Sequence, residues 1–176
     1  MLWVIFMDEW RSRKRTRLPG YDYNTPGAYF ITICTENRKC VLSRVVGTGV
    51  LDGPTLRLLP WGEIADKYIR QLNGFYEEIT VESYVIMPNH IHLLLSVSEE
   101  GPSGRPVPTA QNSVVSRFIS TFKRFCNKEY GKNIWQSRSY DHVIRDQRDF
   151  DEHLKYIHEN PFGWQKDELY IGDAPP

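Results

Sequence analysis

The chain has 176 residues and a formal net charge of zero, from 22 Lys+Arg against 22 Asp+Glu. That length suits one domain with a real core, and 40% hydrophobic with 25% charged residues excludes a chain too polar to fold. Three cysteines, Cys34, Cys40 and Cys126, with no CxxC spacing exclude a disulfide framework and a thiolate zinc site, and fit a reducing cytosol.

The opening "MLWVIFM" is apolar for seven residues and runs into Asp8 and Glu9, too short for a secretory h-region or a membrane span. The expected location is therefore cytoplasmic, with no membrane partner. Next come Arg11, Arg13, Lys14, Arg15 and Arg17 with no acid among them. Residues 1–16 read as a basic, flexible arm ahead of a folded domain at 17–164. Residues 17–30, "RLPGYDYNTPGAYF", are turn-rich. They lead into "YFITICT" at 29–35, whose β-branched and aromatic residues predict a strand.

Residues 40–60 read as short strands broken by glycines. In "WGEIADKYIRQLNGF" at 61–75, Ile64, Tyr68, Ile69 and Leu72 recur at helical spacing, and Gly74 suits the end of the helix. Strands follow at 79–87 and 90–97, separated by a Pro88-Asn89 turn. Gly and Pro punctuate a linker at 98–109. The stretch at 113–130 predicts an amphipathic helix with Val114, Phe118, Phe122 and Phe125 inside. Residues 139–145 alternate as a strand, and 149–160 predict a helix stopped by Pro161. Between residues 105 and 148 nine Lys/Arg face three acids. From Asp149 onward seven acids face two lysines, and the last stretch, 165–176, reads as an acidic tail. The neutral total thus hides a basic centre. The order of elements predicts an α+β domain: one antiparallel sheet with helices packed mainly on one face, in a ferredoxin-like arrangement.

Two places carry chemistry. In "MPNHIHLLL" at 87–95, His90 and His92 point to one face of a strand with Leu94, while Ile91, Leu93 and Leu95 point to the other. Two imidazoles so placed suit a shared divalent cation such as Mn, Zn, Fe, Ni or Cu. They equally suit a hydrogen-bonded strand face. A histidine-triad hydrolase is excluded, because position 94 is Leu94. In "HLKYIHENP" at 153–161, Tyr156 and Asn160 lie one turn apart on one helix face. A tyrosine hydroxyl there suits attack on phosphorus, and the Asn160 amide oxygen suits a third metal ligand. A half-buried tyrosine and a helix-ending asparagine fit the same letters.

Three separated motifs, "GAYFITICT", "PNHIH" and "YIHENP", stand in the order found in the REP-associated tyrosine transposases, which the chain resembles from about residue 13 to 164. These are relatives of the insertion-sequence 200-like single-tyrosine HUH transposases. The resemblance implies a ferredoxin-like core that cleaves and rejoins single-stranded DNA at hairpin-containing sequences through a 5′-phosphotyrosine. It implies His90 and His92 as the metal-binding pair, Tyr156 as nucleophile, Asn160 as the polar third ligand and Mg²⁺ or Mn²⁺ as the cofactor. Asn160 is shorter than the glutamine often found at that position.

The expected partner is single-stranded or hairpin DNA, with no nucleotide cofactor, a nucleoid-associated location and a monomeric or homodimeric state. Arg11, Arg13, Lys14, Arg15, Arg17, Lys123, Arg124, Arg138 and Arg145 are the expected phosphate contacts. Tyr21, Tyr23, Trp135 and Tyr140 are the expected stacking rings. Three other readings compete: a catalytically inactive transposase-derived DNA-binding protein, a nuclease using water, and a plain interaction module.

Overall fold

The computed structural model describes residues 21–47, 53–98 and 113–172. The basic arm with Arg11–Arg17 and nearly all of the 98–109 linker lie outside them. Strand β1 (Gly27–Cys34) is followed by a hairpin of β2 (Ser43–Val46) and β3 (Thr55–Leu58). Then come helix α1 (Pro60–Phe75), strands β4 (Ile79–Ile86) and β5 (His90–Val97), helix α2 (Val114–Tyr130), strand β6 (Tyr140–Val143) and helix α3 (Gln147–Gly163). The main sheet has the order β4-β5-β1-β6, all neighbours antiparallel. That is the expected ferredoxin-like arrangement.

The ends of the helices follow local chemistry. Pro60 opens α1, where its missing N–H and fixed φ are tolerated. Ser113 caps α2 by accepting from the Ser116 amide, and Gly131 closes it at φ 71°, the left-handed region that favours glycine. Asp146 caps α3 by accepting from the Asp149 amide at 2.9 Å.

Strand alternation splits the interior in two. Ile31, Ile33, Ile91, Leu93 and Leu95 face α1 and α2, meeting Ala65, Ile69, Leu72, Phe118 and Phe122 in the larger core. On the opposite face Phe30, Val85, Met87 and Leu94 meet Ile157 and Trp164 of α3 and the turn after it. Two of the three helices thus share one face, and the third lies alone over the histidine-bearing face.

Two expectations are corrected. Pro161 does not stop α3, which runs on to Gly163 and tightens into a 3₁₀ turn at Trp164–Lys166. Proline removes one amide bond from the last turn, but burying Trp164 against the sheet offsets that loss. Trp135 and Tyr23 are not stacking surfaces: they are 1% and 2% exposed, within the larger core. Trp135 is carried there because its segment extends the sheet, with Gln136 N–H donating to Cys34 O at 2.9 Å and Glu36 N–H to Ile134 O at 2.6 Å.

One glycine is required by close approach. A Cβ on Gly62 would lie 1.9 Å from the Leu42 carbonyl oxygen, which also accepts the Leu59 amide. Both partners are backbone, so neither yields cheaply. Gly62→Ala is expected to destabilise the fold by about 2 kcal/mol or more. Urea titration measures it; an unchanged midpoint would refute the tight docking of α1.

Candidate active site

β5 pairs with β1 so that His92 lies opposite Thr32 and His90 opposite Cys34. Both histidines are buried, at 0% and 1% exposure. Each has one ring nitrogen occupied. The Asn89 side-chain amide donates to Arg38 O and Leu169 O at 3.2 and 2.7 Å, so its oxygen is the atom facing His90 Nδ1 at 2.8 Å. His90 Nδ1–H therefore donates, and Nε2 keeps its lone pair. His92 Nδ1 bonds Thr32 Oγ1 at 2.8 Å. The Nε2 atoms of both histidines, and Oδ1 of Asn160, are buried without a hydrogen-bond partner among the described residues. Buried acceptors left unpaired are costly.

Burial, reinforced by the Arg38 charge, pulls the His90 pKa down to about 3. Burial and the neighbouring His90 hold His92 well below its ordinary range. Both rings are neutral at pH 7, the state a metal needs.

α3 brings Tyr156 over the pair. Its ring centroid is 5.2 Å from that of His92 and 5.9 Å from that of Phe30, which itself stacks on His92 at 4.9 Å. Burial first, and then the Asp167 charge, raise the Tyr156 pKa, so it is a neutral phenol at pH 7. Asn160, one turn on, is buried inside the helix rather than capping it. His90, His92, Tyr156 and Asn160 are thus brought together, within one chain. Two imidazole nitrogens and an amide oxygen fit a divalent cation with positions to spare for phosphate and water.

Sequence reasoning missed Asp167. Its carboxylate lies with the two histidines in a group whose ligand atoms are all within 4.8 Å of one another. Asp167 Oδ2 accepts from Tyr156 Oη and Asn160 Nδ2, both at a long 3.4 Å. It also missed Asn89 and Thr32, which aim the rings; the only signal for Thr32 was one polar residue in an apolar strand. A further omission is Asp149, whose carboxylate accepts from His142 Nε2–H at 2.9 Å and the Arg145 amide at 3.0 Å, while its backbone carbonyl accepts from His153 Nδ1–H at 2.7 Å. Burial alone would raise the Asp149 pKa, but the His142 and Arg145 donors, with the nearby charges of His142 and His153, hold it below its ordinary value. His153 stacks on His142 and meets Phe30 at a tilt of 52°, and His158 is exposed.

Of the expected DNA contacts, Arg124, Arg138 and Arg145 are exposed. Lys123 is turned inward: its ammonium donates to the carbonyls of Gln136, Ser137 and Arg138 at 2.8, 3.4 and 3.3 Å. Tyr140 is 44% exposed and stands opposite Thr32, in the cross-strand row of His92.

A family model described as "Transposase IS200 like" matches residues 59–160, more than half of the chain. The chain belongs to the IS200-like transposase family. The match spans His90, His92, Tyr156 and Asn160, and ends before Asp167. An uncharacterized protein of Haemophilus influenzae is 28% identical over 174 residues, covering 90% of this chain and 93% of that protein. A putative REP-associated tyrosine transposase of the same organism is 32% identical over 152 residues, covering 80% of this chain and 73% of that protein. The solved structure of a REP-associated tyrosine transposase bound to a REP hairpin aligns at a TM-score of 0.58 and 19% identity, over 92% of each chain. That likeness shows the shared fold of the family.

The buried neutral histidines set a pH dependence. Their folded pKa values lie below the unfolded 6.5, so the unfolded chain binds more protons as pH falls, and stability present above 6.5 is lost below it. With no divalent metal added, unfolding free energy is expected to fall by about 2 kcal/mol from His90 between pH 7 and pH 5, with a further loss from His92. Urea titrations at both pH values measure the loss. A His90→Asn/His92→Asn double variant should lack it, and an equal loss in that variant would refute the assignment.

Proposed function

We propose that this chain is a divalent-metal-dependent endonuclease and strand transferase acting on single-stranded DNA at hairpin-containing, REP-like sequences. The observation that carries this reading is a buried histidine pair whose Nε2 atoms are unpartnered among the described residues, with the Tyr156 ring 5.2 Å from that of His92 and the buried Asn160 one turn along the same helix. A structural role for the histidines would leave no reason for two buried ring nitrogens, and the Asn160 amide oxygen, without partners among the described residues.

His90, His92 and Asn160 are the proposed ligands, and Mg²⁺ or Mn²⁺ the proposed ion. When bound, the ion would supply charge to the non-bridging oxygens of one phosphate. Tyr156 Oη attacks that phosphorus in line. The bond to the 3′ oxygen breaks, leaving a 5′-phosphotyrosine and a 3′-OH, and the proton lost by the phenol is balanced by the one gained at the leaving oxygen. A 3′-OH from another strand reverses the step, so no nucleotide cofactor is required. The raised Tyr156 pKa keeps the resting hydroxyl protonated and inert.

The DNA reading draws on the family and on a fold relative that holds a REP hairpin. Arg138 and Arg145 flank β6, the sheet's edge strand, with Tyr140 between them as an exposed ring for an unpaired base. Arg124 and the basic arm of Arg11, Arg13, Lys14, Arg15 and Arg17 are proposed to add phosphate contacts. Lys123 contributes by holding the loop that presents Arg138. No helix among the described residues is long and apolar enough to cross a membrane, and a nucleoid-associated, cytoplasmic location is proposed. A single copy carries the whole constellation, which supports a monomer as the working unit.

Labelled hairpin DNA with a single-stranded flank, incubated with Mn²⁺ and run on a denaturing gel, should give a protein-linked band with the native chain and none with Tyr156→Phe. Cleavage without any linked band would point instead to a nuclease using water, and an adduct persisting in the variant would remove Tyr156 from the role. For binding, Arg138→Ala should lower the slope of log affinity against log salt by about 0.7. Tyr140→Ala should weaken single-strand affinity by about 1–3 kcal/mol with an unchanged slope. Fluorescence anisotropy over a salt series measures both, and identical slopes for native chain and Arg138→Ala would exclude that arginine.

A further inference from the structure

We propose that Asp167, which lies beyond the family match, is a fourth ligand of the cation held by His90, His92 and Asn160, and the only anionic one. The inference rests on the metal-site reading above and deepens it.

Three observations carry it. First, the Asp167 carboxylate sits within 4.8 Å of the histidine ligand atoms. Two metal–ligand bonds of about 2.1 Å span at most about 4.2 Å, so a group this close closes on one ion with side-chain movements of well under an ångström. Second, the two histidines of that group each keep a buried Nε2 that is unpartnered among the described residues. Third, Asp167 is held there by construction. Its Oδ1 accepts the Leu169 amide at 2.7 Å, and its own amide donates to Trp164 O at 3.1 Å. Asn89, which aims the His90 ring, also donates to Leu169 O, so one side chain ties the turn and the histidine together. Trp164 and Tyr170 pack edge to face at 5.2 Å on either side of Asp167 in sequence. Oδ1 is thus spent on the turn, while the hydrogen bonds that Oδ2 accepts from Tyr156 and Asn160 are long, at 3.4 Å, and leave it strong acceptor capacity.

The chemistry follows from charge. Two neutral imidazoles and an amide leave a bound divalent ion at +2. A carboxylate reduces that to +1, still attractive to phosphate, and adds a hard oxygen that favours Mn²⁺ or Mg²⁺ over softer ions. Because Asp167 follows α3 while the histidines lie on β5, the ion would also fasten the segment after Trp164 to the sheet.

The test uses the full chain without DNA. Mn²⁺ binding is titrated by electron paramagnetic resonance for the native chain, Asp167→Asn, Glu168→Gln and His90→Asn/His92→Asn. Asp167→Asn is isosteric and keeps an oxygen for the Leu169 amide, so the turn survives. Its metal-free melting temperature is measured to check that the fold does too. The expected result is Mn²⁺ affinity weakened about tenfold or more in Asp167→Asn, with Glu168→Gln at the native value. Native affinity in Asp167→Asn overturns the ligand assignment, and if strand cleavage is then lost, Asp167 acts on Tyr156 instead. Equal weakening in Glu168→Gln also overturns it, reducing the effect to general charge. Native affinity in the double histidine variant overturns the underlying metal reading itself, which separates that failure from the failure of Asp167.

Discussion

Everything at this site depends on keeping two imidazoles dry, neutral and half satisfied. Each ring is bonded through Nδ1, to Asn89 or Thr32, and each leaves Nε2 in the interior with nothing to bond among the described residues. A lone buried acceptor costs about 1–3 kcal/mol. The fold tolerates that because β5 is a central strand, paired along its length on both edges. An edge strand would admit water to the same nitrogens, and their lone pairs would be spent on it.

The third layer is held over this face by a polar hub rather than by apolar area alone. Asp149 ties the start of α3 to β6 through His142 and to its own next turn through His153. Trp164 ties the far end to Met87, Leu94 and Phe30. Tyr156 and Asn160 lie between these two anchors, so their positions are set from both sides. The row of rings His142, His153, Phe30 and His92, stacked at its two ends and tilted between His153 and Phe30, carries that constraint across the sheet.

The strands, the helices and their order were legible because they rest on local periodicity and local caps. His90 with His92, and Tyr156 with Asn160, were legible because each pair sits within one element and its spacing is a property of that element. Asp167 was not, since it reaches the histidines through a turn whose course depends on where Trp164 is buried. Pro161 misled for the same reason: a local rule against helix continuation was outweighed by a distant contact. Trp135 and Tyr23 misled because a large ring in a loop-like sequence carries no mark of which side it faces. Lys123 reads as a free cation in the sequence; only the folded loop at 136–138 reveals three carbonyls waiting for it.

The alternation of β5 has a consequence for how this protein can change over generations. His90 and His92 share their face with Leu94, while Ile91, Leu93 and Leu95 fill the larger core. A slip or an insertion of one residue would drive imidazoles into that core and leucines beneath Tyr156. The register of the candidate site and the folding register are therefore a single reading frame. A shifted copy fails to fold before it can misfire, so the strand screens out its own frame errors.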